Sequence, residues 1–319
     1  MYKSFLKNFI IVGLITSFSW GCAPSRSDTP PAESAPAQAD ATGGNDPEAT
    51  ITLGDVSDDP IKKIKRYQPF AQYLASQLEE VEIKAGSVKV APDIETMAQL
   101  MADGDVDVYF DSPFPAMMVS DLSGAKPILR RWKKGVGSYH TVIFARADSD
   151  VETLEDLKGQ IIAFDDRVST SGYMLPLAYL KEAGLETSEL DSITEFPEDD
   201  KVGYVFSQND DSSIQWVLSS RVGAAAIGSA DFSNLPKKTR DQLRILAETE
   251  SVPRQLVMVS PTLTQQQVIA IKAVLLAADQ GKDSQQVLEQ FENTAKFDEL
   301  PGGLEESFAR MHELYELSK

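Results

Sequence analysis

Cysteine is nearly absent from this chain: Cys22 is the single one among 319 residues, so no internal disulfide can form. Histidine is almost as scarce, and His140 and His312 stand too far apart in sequence to suggest a metal centre. Basic residues are in deficit, 30 against 49 acidic ones, giving a formal charge of −19. That balance excludes sequence-independent nucleic-acid binding, which needs a basic surface. It also removes long-range steering of an anion, so any anion site must work through local dipoles and hydrogen bonds. No Gly-x-Ser-x-Gly elbow and no His-Glu-x-x-His pair occurs, and no cofactor motif is present. Paired acids such as Asp165-Asp166 and Asp210-Asp211 fall in turns, where acids are usually solvated. The chain is therefore not expected to be an enzyme.

What is present begins with two lysines and no acid in Met1 to Lys7, followed by an apolar run from Phe9 to Trp20. The run is shorter than the roughly 20 residues a membrane span needs, so residues 1–21 read as a secretory signal. Gly21-Cys22 resembles the end of a bacterial lipoprotein signal, although Ser19 and Trp20 depart from the usual Leu and small residue. That resemblance implies acylation at Cys22 and a lipid-anchored protein on the periplasmic side of a membrane or at the cell surface. Residues 23–49 are dominated by Pro, Ala, Ser, Asp and Gly with almost nothing to bury, and read as a flexible tether.

From residue 50 onward, apolar strands alternate with amphipathic helices. Ile51 to Val56 reads as a strand, and Pro60 to Glu80 as a helix with Ile61, Ile64, Tyr67, Phe70, Leu74 and Leu78 on one face, Pro69 marking a kink or break. A strand over 87–91, a helix over 94–102 and a strand over 106–110 follow. The second half repeats the arrangement with a helix over 151–158, a strand over 160–164 and a helix from about Thr170. The expected organisation is two α/β lobes, residues 50–144 plus 245–319 and residues 145–244. The two chain crossings between them form a hinge, and the last helices pack on the first lobe.

Ser169-Thr170-Ser171-Gly172-Tyr173 stands where a strand has ended and an apolar-periodic helix begins. Two readings are open: helix N-termini favour Ser and Thr as caps, and they also offer free N–H groups and partial positive charge to an anion. Asp111 and Ser112 lie at another strand end, where open α/β sheets bind ligands, and capping explains Ser112 equally well.

Asp148-Ser149, Leu154 to Gly159, Ala163 to Asp166, Ser169 to Tyr173 and Pro176 together resemble the periplasmic phosphonate-, phosphite- and phosphate-binding proteins of ABC transporters. The resemblance runs to about Pro261 and implies a type 2 periplasmic-binding-protein fold, two lobes joined by a two-stranded hinge. It implies a substrate-binding protein that captures a small phosphorus oxyanion between the lobes, Ser169, Thr170 and Ser171 gripping the phosphorus oxygens, and hands it to a permease as a monomer. An adaptor delivering the same signal to a sensor kinase would look alike.

Tyr139 matches a family tyrosine able to donate to a ligand oxygen. Tyr67 matches a first-lobe aromatic at the cleft, and equally fits the core by its place on the apolar stripe. Two departures stand out: Asp210 replaces a ligand-contacting His, and Gly223 replaces an acid that helps hold the ligand. Asp210 is then expected to take over the lost acid's role, accepting a hydrogen bond from a protonated ligand. Asp231 is a further, weaker candidate.

Overall fold

A computed structural model describes residues 49–319, excluding the Asp283 side chain. The expected signal peptide, the acylated Cys22 and all but the last residue of the tether lie outside the described residues. Ala49, taken above as tether, already begins a strand.

The first lobe starts with β1 (Ala49–Val56), whose centre is buried on both faces, as a parallel strand flanked by helices must be. Asp59 accepts a hydrogen bond from the Lys62 N–H at 3.1 Å and Pro60 supplies the first turn of α1 (Pro60–Ser76). Tyr67, Phe70 and Leu74 are buried on its inner face, and the helix continues through Pro69 without ending. It stops at Ser76, short of the expected Glu80, where a separate turn of 3-10 helix covers Glu79–Val81.

Next come β2 (Ile83–Ala91), α2 (Ile94–Ala102), β3 (Val108–Asp111), α3 (Pro113–Ser123) and β4 (Lys126–Lys133). Gly86 lets α1 lie directly on β2, since a Cβ there would sit 2.1 Å from the Ala71 carbonyl oxygen. The chain then crosses through β5 (Ser138–Tyr139).

The second lobe contains β6 (Thr141–Arg146), β7 (Ile161–Phe164), a π-helical turn over Thr170–Met174, α4 (Leu175–Glu182), β8 (Glu186–Glu189) and β9 (Lys201–Phe206). It continues with α5 (Asp210–Leu218), β10 (Ala224–Gly228), α6 (Ser229–Asn234), α7 (Lys237–Arg240) and β11 (Leu243–Glu248). The helix expected over 151–158 is only a 3-10 turn at Glu155–Leu157. Asp156 captures the N–H groups of Glu152 and Thr153 there, which competes with helical bonding. The return runs through β12 (Val252–Pro253) into β13 (Gln255–Val259), α8 (Gln265–Ala277), α9 (Lys282–Gln290), β14 (Thr294–Asp298) and α10 (Leu304–Leu317).

Two six-stranded sheets result, ordered β14-β4-β13-β3-β1-β2 and β11-β6-β10-β7-β9-β8, with β5 and β12 paired as a separate two-stranded ribbon between them. The lobe boundaries expected at 144 and 245 cut through β6 and β11. Both strands belong wholly to the second sheet and pair with each other, Phe144 opposite Ile245, so the crossings fall at the β5/β12 ribbon.

The last helix also departs from expectation. Tyr315 of α10 meets Phe114 of the first lobe with ring centroids 5.5 Å apart, and the same apolar cluster takes in Met174, Leu175 and Ala178 of the second. Arg310 binds Glu182 on α4 at 2.8 Å and, through Nε, Glu250 beside the ribbon at 2.9 Å. This helix therefore rests on both lobes, not on the first alone. Among the described residues no helix is long and apolar enough to cross a membrane.

Candidate ligand-binding cleft

The carboxyl ends of β1 and β3 in one lobe and of β7, β9 and β10 in the other carry the polar residues, at the edges where open α/β sheets take ligands. After β7 the chain turns at Asp165 and Asp166 into the π-helical turn. Ser169 caps it, its Oγ accepting from the Gly172 N–H at 3.0 Å and donating to the Asp165 carboxylate. Gly172 is required at this point because a Cβ would lie 2.4 Å from that of Asp165. The N–H groups of Thr170 and Ser171 and the Ser171 hydroxyl have no protein acceptor among the described residues. They form a small nest of donors at the positive end of a helix. The π-turn itself is an uncommon conformation that recurs at functional sites.

The capping reading of the Ser-Thr-Ser segment holds for Ser169. The Ser171 hydroxyl is left without a protein partner among the described residues. Thr170 is buried and does something else: its Oγ1 accepts from the Phe114 N–H of the first lobe at 2.8 Å.

Ser112 occupies the N-cap position of α3 but its side chain makes no capping bond. It lies instead with Thr170 against the hydroxyl of Tyr139, which reaches in from the ribbon and whose phenol burial keeps protonated. Asp111 accepts from the Tyr109 hydroxyl at 2.5 Å and the Ser112 N–H at 2.7 Å. Ser112, Tyr139, Thr170 and Ser171 are thus brought to one place. Tyr67 is not: its ring is fully buried against Phe291, and its hydroxyl, equally buried, donates to Glu292 at 3.3 Å and faces Asp55. The core reading holds for the Tyr67 ring, while its hydroxyl joins the group around Glu292.

Asp210 opens α5, behind the cap made by Asn209. Burial, together with the nearby Asp165, Asp231 and Asp211 carboxylates, pushes its carboxyl up to about 7. Asp165 is raised for the same reasons, burial first, then Asp166 and Asp231. A Cβ on Gly228 would touch both Asp231 Oδ2 and Ser171 Oγ, at 3.1 and 3.2 Å, so this acid group stands beside the donor nest. Asp210, crowded in this way, can hold a proton near neutrality and donate a hydrogen bond to an anion.

Gly223 must be read differently from the sequence expectation. It precedes β10, bonded through its N–H to the Ile161 carbonyl at 2.9 Å, at the far edge of the second sheet. There it borders a cavity of about 690 Å³ with Gln160 and Arg221, the length of a strand away from Ser171. An acid at 223 would not reach the cleft. Asp165, not singled out from the sequence, and Asp231, rated the weaker candidate there, both stand beside the nest, and both follow the ends of apolar strands. That position was the available signal.

The matching family model covers residues 57–300 and describes the periplasmic phosphonate substrate-binding protein of ABC transporters. The chain belongs to this family. A "Phosphate-import protein PhnD" from Mycolicibacterium smegmatis is 33% identical over 146 residues, 44% of either chain, so the match spans less than half of that relative's length. Among solved structures, XAC2383 from Xanthomonas citri bound to chloride ion superposes with a TM-score of 0.75 at 27% identity, over 84% of this chain and 97% of that one. The same protein bound to ATP gives 0.76 at 25% identity, over 85% and 100%. PhnD1 from Prochlorococcus marinus with methylphosphonate shares the fold, with a TM-score of 0.57 at 19% identity over 84% and 97%. The architecture is the type 2 periplasmic-binding-protein fold, and members of this phosphonate-binding family are solute-binding proteins.

Proposed function

We propose that this member of the phosphonate-binding family captures a small phosphorus oxyanion, a phosphonate, phosphite or phosphate, between its lobes for an ABC transporter permease. The observation that carries this reading is the donor nest: two unpaired N–H groups and a free hydroxyl at Thr170 and Ser171, with Ser112 and Tyr139 opposite. A tetrahedral anion offers oxygens in several directions and matches convergent donors better than a planar carboxylate does. A site built on fixed dipoles also suits a protein whose net charge repels anions. The relative named as a phosphate importer and the fold relative solved with methylphosphonate support this ligand class. Acylation at Cys22 would keep the protein beside its permease as a tethered monomer on the periplasmic face.

Calorimetric titration of the body from about Ala49 with phosphate, phosphite, methylphosphonate and 2-aminoethylphosphonate tests the reading. Saturable binding that Ser171→Ala weakens about tenfold, the loss of one charge-assisted hydrogen bond, is expected. Absence of binding at millimolar concentration for all four would overturn it.

A further inference from the structure

The first lobe carries a group of side chains that the donor nest does not use. Glu292, in the turn between α9 and β14, receives Lys63 at 3.0 Å, Lys133 at 2.9 Å and Arg131 at 3.5 Å, with Arg66 at 3.9 Å. Lys63 also bonds Asp55 at 2.9 Å. Four cations thus face two carboxylates, a local excess of positive charge in a chain of net charge −19. The backbone is bent to make this possible: Glu292 and Asn293 both have positive φ, 55° and 53°, which side-chain-bearing residues rarely adopt. Strain of this kind persists where surrounding structure enforces it, commonly at binding sites.

The group lies at the cleft edge. Asp55, the last residue but one of β1, lies next to β3, whose last residue is Asp111, and the two carboxylates are close enough to influence each other. With strands about 4.8 Å apart, Lys63, bonded to Asp55, stands on the order of 5–10 Å from the Ser112 turn, and the other cations gather with it on Glu292. They differ in availability. Arg131 is fully buried and bonded to Gln255, Thr294 and the Phe291 carbonyl. Among the described residues, Lys133 and Arg66, with side-chain exposures of 18% and 45%, pair with Glu292 alone. Burial first, and then Arg131 and Lys63, lower the Lys133 pKa even beside Glu292.

We infer that Lys63, Arg66 and Lys133, gathered by Glu292, form a second anion subsite on the first lobe's cleft edge. The ligand class is then a phosphorus oxyanion bearing a second negative group, with its first head on the Ser171 nest and its second, phosphoryl or carboxyl, on this cluster. Glu292 is a positioning residue: it holds the lysines in place and leaves them a residual positive charge. This rests on the oxyanion reading above and sharpens it.

Two ligand pairs isolate the second group in calorimetry of the same protein: pyrophosphate against phosphate, and phosphonoacetate against methylphosphonate. Each two-headed ligand is expected to bind about tenfold or more tightly than its partner, the worth of one added charge-assisted contact. In the Arg66→Met, Lys133→Met protein both ratios fall toward one. Equal affinities within each pair in the unaltered protein would overturn the subsite while leaving the oxyanion reading intact. So would ratios unchanged in the folded double variant, or tighter binding of 2-aminoethylphosphonate than of phosphonoacetate. Failure of every oxyanion to bind would remove both readings. The comparison in the unaltered protein decides the matter even where the double variant does not fold.

Discussion

Thr170 Oγ1 of the second lobe accepts a hydrogen bond from the Phe114 N–H of the first at 2.8 Å. The residue at the centre of the Ser-Thr-Ser segment therefore joins the lobes, while Ser169 caps the turn and the Ser171 hydroxyl keeps no protein partner among the described residues. Phe114 and Tyr173 meet beside it with ring centroids 5.9 Å apart, so the polar contact is shielded from water.

Thr170→Val keeps the shape and removes the acceptor, leaving a buried N–H without a partner. The expected loss is about 1–3 kcal/mol, read by urea unfolding, with weaker oxyanion binding because the approach of the lobes is no longer favoured. An unchanged unfolding midpoint would show that the contact is incidental.

Gly172→Ala puts a methyl group into the Asp165 side chain, and only a shift of the π-turn can relieve it. Stability should fall by about 1–3 kcal/mol. Affinity should fall with it, since the Thr170 and Ser171 N–H groups move; a variant that binds as tightly as the parent would disconnect the nest from the ligand.

Asp210 sets a pH dependence. Its folded value near 7 lies above the ordinary carboxylate value of 3.8, so the folded state holds a proton that the unfolded state has released. Its ionisation therefore erodes stability as pH rises from about 4 to 7, the reverse of a salt-bridged acid. Anion affinity should likewise fall as pH rises through 7, when a donor becomes a second negative charge. Asp210→Asn should flatten that part of both profiles, measured by thermal unfolding and calorimetry between pH 5 and 8.

Glu292 behaves oppositely. Burial alone would raise its pKa, but Lys133, Arg131 and Lys63 hold it well below the usual range. Its contribution to stability is present above the ordinary Glu value and is lost as pH falls through the depressed one. Glu292→Gln should cost about 3 kcal/mol at pH 7, because it removes the carboxylate that Lys63, Arg66, Arg131 and Lys133 share. An effect under about 0.5 kcal/mol would mean that solvent already screens the group.

Much of the fold was legible because its strands are short apolar runs and its helices carry one apolar face. The helix at Ile94–Ala102 falls on the residues the pattern indicated. The lobe boundary was misplaced because Val142 to Ala145 is an unbroken apolar run and nothing local says which sheet it joins. The helix expected at 151–158 fails because Asp156 binds the backbone ahead of it, a competition that periodicity does not register. In the cleft, the Ser-Thr-Ser segment was readable, but the division of labour within it was not, since Phe114 lies 56 residues away. Gly223 was misjudged because a sequence alignment does not show which end of a strand faces the cleft. The cation cluster on Glu292 was invisible for a similar reason: Lys63 and Glu292 are 229 residues apart.

The order of strands has a consequence for assembly. Every strand of the second sheet falls between Thr141 and Glu248, so that sheet can form from one continuous stretch. The first sheet cannot: β13 sits between β3 and β4, and β14 makes its edge, yet both follow the entire second lobe. Four strands must wait, the β3 edge unpaired until β13 (Gln255–Val259) has arrived and the outer β4 edge until β14 ends at residue 298. The Ser171 nest can thus exist before the wall that faces it, and the lobe bearing the cation cluster is the later of the two to close.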